Sequence, residues 1–138
     1  FYVTTGGGWY HVVLTFDGTN LVLYVNGDEK DTNSNSNYST VNQNGVFSIG
    51  RRDDTGSLYY NGKIDEVALW NTGLSANAVT ALYNSGSSLS ASTNSGNYTS
   101  SGNLVFYLQM QQNLDDSANN YDFTGNNISS SDYDNTGF

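Results

Sequence analysis

Residues 9–27 read WYHVVLTFDGTNLVLYVNG, two alternating apolar runs joined by a polar turn and closed by Asn-Gly. In the first run Tyr10, Val12, Leu14 and Phe16 share one face of an extended chain, while His11, Val13 and Thr15 share the other. A period of two is what a half-buried strand requires, and the greasier set, Tyr10 to Phe16, is expected to face inward. Asp17-Gly18-Thr19-Asn20 supplies turn chemistry; Leu21, Leu23 and Val25 then alternate with Val22 and Tyr24 until Asn26-Gly27 reverses the chain again. The stretch is a β-hairpin, and its surroundings decide what kind of sheet it joins.

Working outward, residues 28–45 read as a long polar loop, and Val46 to Ile49 as a short strand. A second decorated loop runs from Gly50 to Gly62 with a short strand at Leu58 to Tyr60, and Lys63 to Trp70 is the next full strand. Ser75 to Asn84 is the one helical candidate: Ser75 caps it, Val79, Leu82 and Tyr83 fall on one stripe, and Gly86 lies just beyond its end. Residues 85–103 are a Ser/Gly/Asn/Thr tract that reads as a linker or a long surface crossing. Apolar pattern returns at Leu104 to Met110, and a weak strand is expected near Tyr121 to Thr124. Seven or eight strands with one short helix predict an all-β, antiparallel sandwich.

Composition narrows the function classes. The chain has 138 residues, one domain's worth, and no cysteine, which removes thiolate chemistry and sulfur-based zinc sites. Four basic residues against thirteen acidic ones give a formal charge of −9, so a nucleic-acid partner is not expected. No apolar run is long enough to span a bilayer as a helix, so membrane insertion is not expected either. No charged-then-apolar leader opens the chain, which starts mid-pattern; either a leader was removed or the residues are a window on something longer.

The order of three separated motifs carries a family resemblance. WYHVVLTFDGTNLVLYVNG, then FSIGRR, then NGKIDEVALWNTGLSANAVTALYNSG resembles the second half of a laminin-G-like, concanavalin A-like jelly-roll domain of the type found in marine bacterial and phage surface proteins. Downstream, NLVFYLQMQQNLDDSANNYDFTGNN looks like the opening strand and Asp/Asn-rich loop of such a domain, here placed last. Three parts follow: 1–86 as the C-terminal part of a sandwich, 87–103 as linker or crossing, and 104–138 resembling the start of a module. Two arrangements compete: 104–138 begins the next module of a tandem array, the reading the linker-like tract favours, or its strand folds back to complete a permuted sandwich. In either case the sandwich is incomplete or permuted, and unpaired sheet edges invite strand exchange with a neighbour.

Candidate site residues are few. In Ile64-Asp65-Glu66-Val67-Ala68-Leu69-Trp70, alternation turns one of the two carboxylates toward apolar surroundings, which demands donors or a cation. The resemblance implies a structural calcium between Asp65 and the Asp115-Asp116-Ser117-Ala118-Asn119-Asn120 loop, with Asp65, Asp115, Asp116 and Asn120 as ligands and hard oxygens as the donor set. The competing reading is that Asp65 accepts backbone hydrogen bonds and the loop is solvated. Asp53 and Asp54, beside Arg51 and Arg52, hold a second cation or, the commoner outcome, form ion pairs at a loop tip, and are the candidate ligand contacts of that loop. Tyr59 and Tyr60, in a polar loop, are the aromatic pair placed to stack on sugar rings; Trp9 and Trp70 read as strand packing. His11 is the sole histidine, expected to be structural. Glu29 and Glu66 are the only glutamates, and no Glu-x-Asp-x-x-Glu pattern of the kind retaining glucanases present is found. Asn37, Asn97 and Asn127 sit in Asn-x-Ser/Thr triplets.

What the resemblance implies is a non-enzymatic recognition module outside the cell, on a cell surface or on a virion, binding glycans or cell-surface polysaccharide in adhesion. The alternative is a structural subunit of a filament, appendage or capsid decoration, self-associated through exchanged strands.

Overall fold

The computed structural model describes residues 2–5, 8–34, 47–51, 59–87, 89–111, 113–118, 121 and 123–125. Apolar alternation lays the opening hairpin down as β2 (Gly8–Phe16) and β3 (Asn20–Val25), antiparallel, with Val13 opposite Tyr24 and Leu14 opposite Leu23. Their turn is built by Asp17, whose Oδ1 accepts from the N–H groups of Thr19 at 2.8 Å and Asn20 at 2.7 Å. The Asn20 N–H above all holds the Asp17 carboxyl below the usual carboxylate range. At the far end Asn26 and Gly27 both adopt positive φ, 54° and 81°, making the two-residue turn that Asn-Gly favours. Here glycine is required twice over, because a Cβ on Gly27 would also lie 2.9 Å from Cδ1 of Tyr83.

That turn launches β4 (Asp28–Ser34), where the sequence reading expected loop. All seven residues of β4 are exposed, so neither face carries an apolar alternation to read. Pairing to β3 alone makes it a strand, and its charged residues suit a sheet edge that must not pair further. On the other flank β1 (Tyr2–Thr5) pairs with β2, and β5 (Ile64–Asp65) pairs with β1, giving the order β4-β3-β2-β1-β5. The single strand expected over residues 63–70 breaks at Glu66, whose φ of 54° swings the chain into a second sheet. There β6 (Val67–Trp70) pairs antiparallel with β7 (Leu104–Leu108). Val46 and Leu58 lie outside the described residues; Phe47 to Ile49 form no strand, Tyr59 makes an isolated bridge to Arg51, and residues 121, 123 and 124 are irregular. Strands in antiparallel sheets with one short α-helix make this an all-β, jelly-roll-like domain.

The main core inverts the expected orientation of β2. His11, Val13 and Thr15 are buried, whereas Leu14 is 61 % and Tyr10 39 % exposed. The reason is α1 (Ala76–Tyr83), which brings Ala78, Val79 and Leu82 onto the Val13 and Tyr24 side of the sheet. The helix starts as its sequence predicts, Ser75 Oγ accepting from the Ala78 N–H at 3.2 Å, and it ends on Asn84 in the left-handed region. Thr80 Oγ1 donates to the Gly27 carbonyl at 3.2 Å and Tyr83 stacks on His11, so the helix is fastened to the hairpin. Residues 87–103 contribute to the same core through Ala91 and Tyr98. Tyr98 is 0 % exposed; the Trp70 Nε1–H donates to its hydroxyl at 2.9 Å, which in turn donates to the Ala91 carbonyl at 2.6 Å.

Candidate functional site

The opposite side of the strands is where the unburied apolar residues gather. Val12, Leu14 and Phe16 of β2 and Leu69 of β6, with the buried Val67 beneath, line an open cleft of about 1220 Å³. Arg51, Tyr59 and Tyr60 also line it, and Arg51 is its sole charged side chain among the described residues. Tyr59 is held by its backbone bridge to Arg51, and the Tyr60 N–H donates to the Gly50 carbonyl at 2.8 Å. Gly62 gives the Tyr60 ring its seat, since a Cβ there would come within 2.7 Å of ring atoms. Tyr59 is 70 % exposed, so a polar loop presents one aromatic side chain to solvent and a second beside it. Asp53 and Asp54, expected near this pair, lie outside the described residues.

A second group of polar residues lies where β5 turns into β6. Asp65 is half-buried and its Oδ1 accepts from the Glu66 N–H at 3.0 Å. Glu66 is the carboxylate turned toward apolar surroundings: its Oε2 accepts from the Tyr107 hydroxyl, and burial pushes its pKa up to about 7, with the neighbouring Asp65 charge adding to the rise. Burial, then the bond to Glu66, also raises the Tyr107 hydroxyl, which stays protonated as a donor.

Asp116 is buried as well. Its Oδ1 accepts from the N–H groups of Tyr107 at 2.7 Å and Ala118 at 2.8 Å, and its Oδ2 from Tyr121 N–H at 3.1 Å. Three backbone donors surround this carboxylate with the positive ends of N–H dipoles, which suits a hydrogen-bonded anchor. Asp115 is exposed and accepts from the side-chain amide of Asn113. Asn120 lies outside the described residues, and among those described no three acidic or histidine side chains converge on a metal-sized site.

His11 is buried and packs its ring 5.9 Å from that of Tyr83. Burial lowers its pKa to about 3, so the ring is neutral. Glu29 is exposed on edge strand β4, while Glu66 is committed to Tyr107. Asn97 sits in an exposed turn, and Asn37 and Asn127 lie outside the described residues.

Comparison with known families places this arrangement. A family model described as the concanavalin A-like lectin/glucanases superfamily matches residues 2–80, more than half of the chain. The chain belongs to that laminin-G-like family. No curated protein and no solved structure matches it. The match runs from β1 into α1, so the laminin-G-like segment supplies β2, Tyr59, Tyr60 and β6, while Tyr98, β7 and Asp116 lie beyond it. Membership of this lectin/glucanase superfamily fits a carbohydrate-binding or adhesion module. No helix among the described residues is long and apolar enough to cross a membrane.

The sequence reading did not single out three features of this geometry. Tyr98 hides in a tract whose composition resembles a spacer. The anchoring role of Asp116 depends on backbone N–H groups, which leave no trace in side-chain pattern. The inversion of β2 runs against its sequence pattern, since the buried face carries His11, Val13 and Thr15 and the less buried one the more apolar set.

Proposed function

We propose that the chain is a non-enzymatic carbohydrate-binding module that acts in adhesion outside the cell, on a cell or virion surface. The observation that carries this is the pair Tyr59 and Tyr60, solvent-facing aromatic rings fixed beside a cleft and next to Arg51. A tyrosine ring offers a flat apolar face for the C–H side of a pyranose and a hydroxyl for its rim, while a guanidinium supplies several donors for ring substituents. Superfamily membership supports the substrate class, and the commonly extracellular setting of laminin-G-like domains supports the location. The non-enzymatic part is supported by the lack, in the sequence, of the Glu-x-Asp-x-x-Glu pattern with which retaining glucanases present carboxyls about 5 Å apart, and by Glu66 being held by Tyr107. A glycan array probed with the intact chain and with Tyr59→Ala and Tyr60→Ala tests the proposal. Binding to a defined set of saccharides that both variants lose supports it; binding that neither substitution changes contradicts it.

Calcium is a separate proposal resting on the oxygen chemistry of Asp65, Asp115, Asp116 and Asn120, and the three backbone donors around Asp116 supply the competing account. A melting temperature that rises with calcium and falls with a chelator supports the ion. Identical melting curves support the hydrogen-bonded corner.

One observation favours the structural-subunit reading: Leu14 is 61 % exposed on an otherwise apolar side of the sheet. Reversible, concentration-dependent assembly that Leu14→Asp abolishes would establish it.

A further inference from the structure

The cleft beside Tyr59 and Tyr60 is a poor container for a sugar alone. Five of the seven large apolar side chains that stand exposed among the described residues, Leu14, Phe47, Tyr59, Tyr60 and Leu69, line this one cavity. Such a concentration of exposed apolar surface marks a binding site. A saccharide carries a hydroxyl on most ring carbons, and each one buried without a partner is costly. Beyond the tyrosines and Arg51 the cavity is lined mostly by apolar side chains, aliphatic and aromatic, with Thr15, Ser48, Asn71 and Thr72 as the other polar ones among the described residues, so a bare oligosaccharide that filled it would bury more hydroxyls than these groups can partner. Its volume of about 1220 Å³ nonetheless exceeds what one or two sugar rings on the tyrosines would occupy. A second cavity of about 730 Å³ shares Phe47, Tyr59 and Leu69 with the first and is lined further by Met110 and Phe123, so the apolar lining extends past the first cavity.

We infer that the site takes an amphiphilic glycoconjugate: a saccharide head on Tyr59 and Tyr60 beside Arg51, and an alkyl, acyl or aryl tail laid between Leu14 and Leu69. The inference rests on the carbohydrate reading above and names its ligand class. A second copy of the chain is the rival occupant of the same apolar surface. Charge opposes it, since each copy carries −9, and so does shape, because two sheets pack as flat layers whereas this surface is concave and flanked by polar-tipped tyrosines.

Calorimetric titration of the whole chain with methyl and octyl glycosides of glucose, galactose and mannose, and with 1-octanol, all below micelle concentrations, tests it. At least one octyl glycoside is expected to bind tenfold or more tightly than both its methyl counterpart and octanol. Leu14→Ser and, separately, Leu69→Ser are expected to bring that octyl-to-methyl ratio down toward one, with circular dichroism confirming that each variant is folded. Equal binding of the octyl and methyl glycosides would overturn the tail inference and leave the carbohydrate reading standing. Octanol binding as tightly as any octyl glycoside, with no methyl glycoside bound, would overturn both, as would no binding by any probe. A stable dimer in analytical ultracentrifugation that Leu14→Asp converts to monomer would assign the cleft to a second copy and overturn the inference.

Discussion

At the scale of single residues, two titratable groups, the half-buried Glu66 and the buried His11, pull stability in opposite directions with pH. Glu66 has a folded value of about 7, above its ordinary 4.5, so the folded chain keeps a proton that the unfolded chain releases. Its contribution is fully present below pH 4.5 and is lost as pH rises through 7. His11 has a folded value of about 3, below its ordinary 6.5, so its neutral burial is favourable above 6.5 and is lost as pH falls toward 3. Between pH 5 and 7 the slopes oppose, and urea unfolding of the native chain should show a nearly level stability. In Glu66→Gln only the histidine slope remains, and stability should climb across that interval by on the order of 2 kcal/mol. A level profile in the variant would mean that His11 is not held neutral by burial. Tyr98 gives a second test at this scale: Tyr98→Phe removes both hydroxyl hydrogen bonds, leaving the Trp70 Nε1–H and the Ala91 carbonyl without that partner, and should cost about 1–3 kcal/mol by the same assay.

At the scale of elements, what was legible followed from local physics. The Asp17 turn, the Asn26-Gly27 reversal and the Ser75-capped helix each depend on residues adjacent in sequence, and each stands where its residues predict. Ser75→Ala should accordingly lower stability by about 1 kcal/mol, measured as a shift in the urea midpoint. The strands over 67–70 and 104–108 were legible from their apolar runs although their pairing is long-range, whereas two features set by distant partners alone were not. β4 is fully exposed and exists because the Asn-Gly turn delivers it to β3; the kink at Glu66 exists because β5 must reach β1 while β6 must reach β7. Likewise, which face of β2 is buried is decided by where α1 lands, more than sixty residues downstream. Of the candidate site, Tyr59 and Tyr60 were identifiable as aromatics stranded in a polar loop, whereas the cleft they flank is a product of the assembled sheets.

For the whole molecule, the open question of order is sharpened by the β6–β7 pair. The strand expected to open a following module lies against the last strand of the family segment, and Tyr98 and Tyr107 share a core with α1 and Val13. This pairing supports the permuted arrangement as a proposal against the tandem one, and the two differ in a simple experiment. If β7 closes the domain, a chain ending after Gly86 loses the strand that β6 pairs with and two buried tyrosines, and should show no cooperative thermal transition. If 1–86 is a unit followed by a spacer, the shortened chain should melt as sharply as the full one.

Recognition at the cleft is the claim on which the functional reading turns, and amide chemical-shift mapping addresses it directly. Titrating the labelled chain with a saccharide selected from the array should displace the signals of Arg51, Tyr59 and Tyr60 first, followed by those of Leu14 and Leu69, while α1 stays unmoved. Shifts centred instead on Asp115 to Ala118 or on the edge strand Asp28–Ser34, with the tyrosines silent, would contradict it.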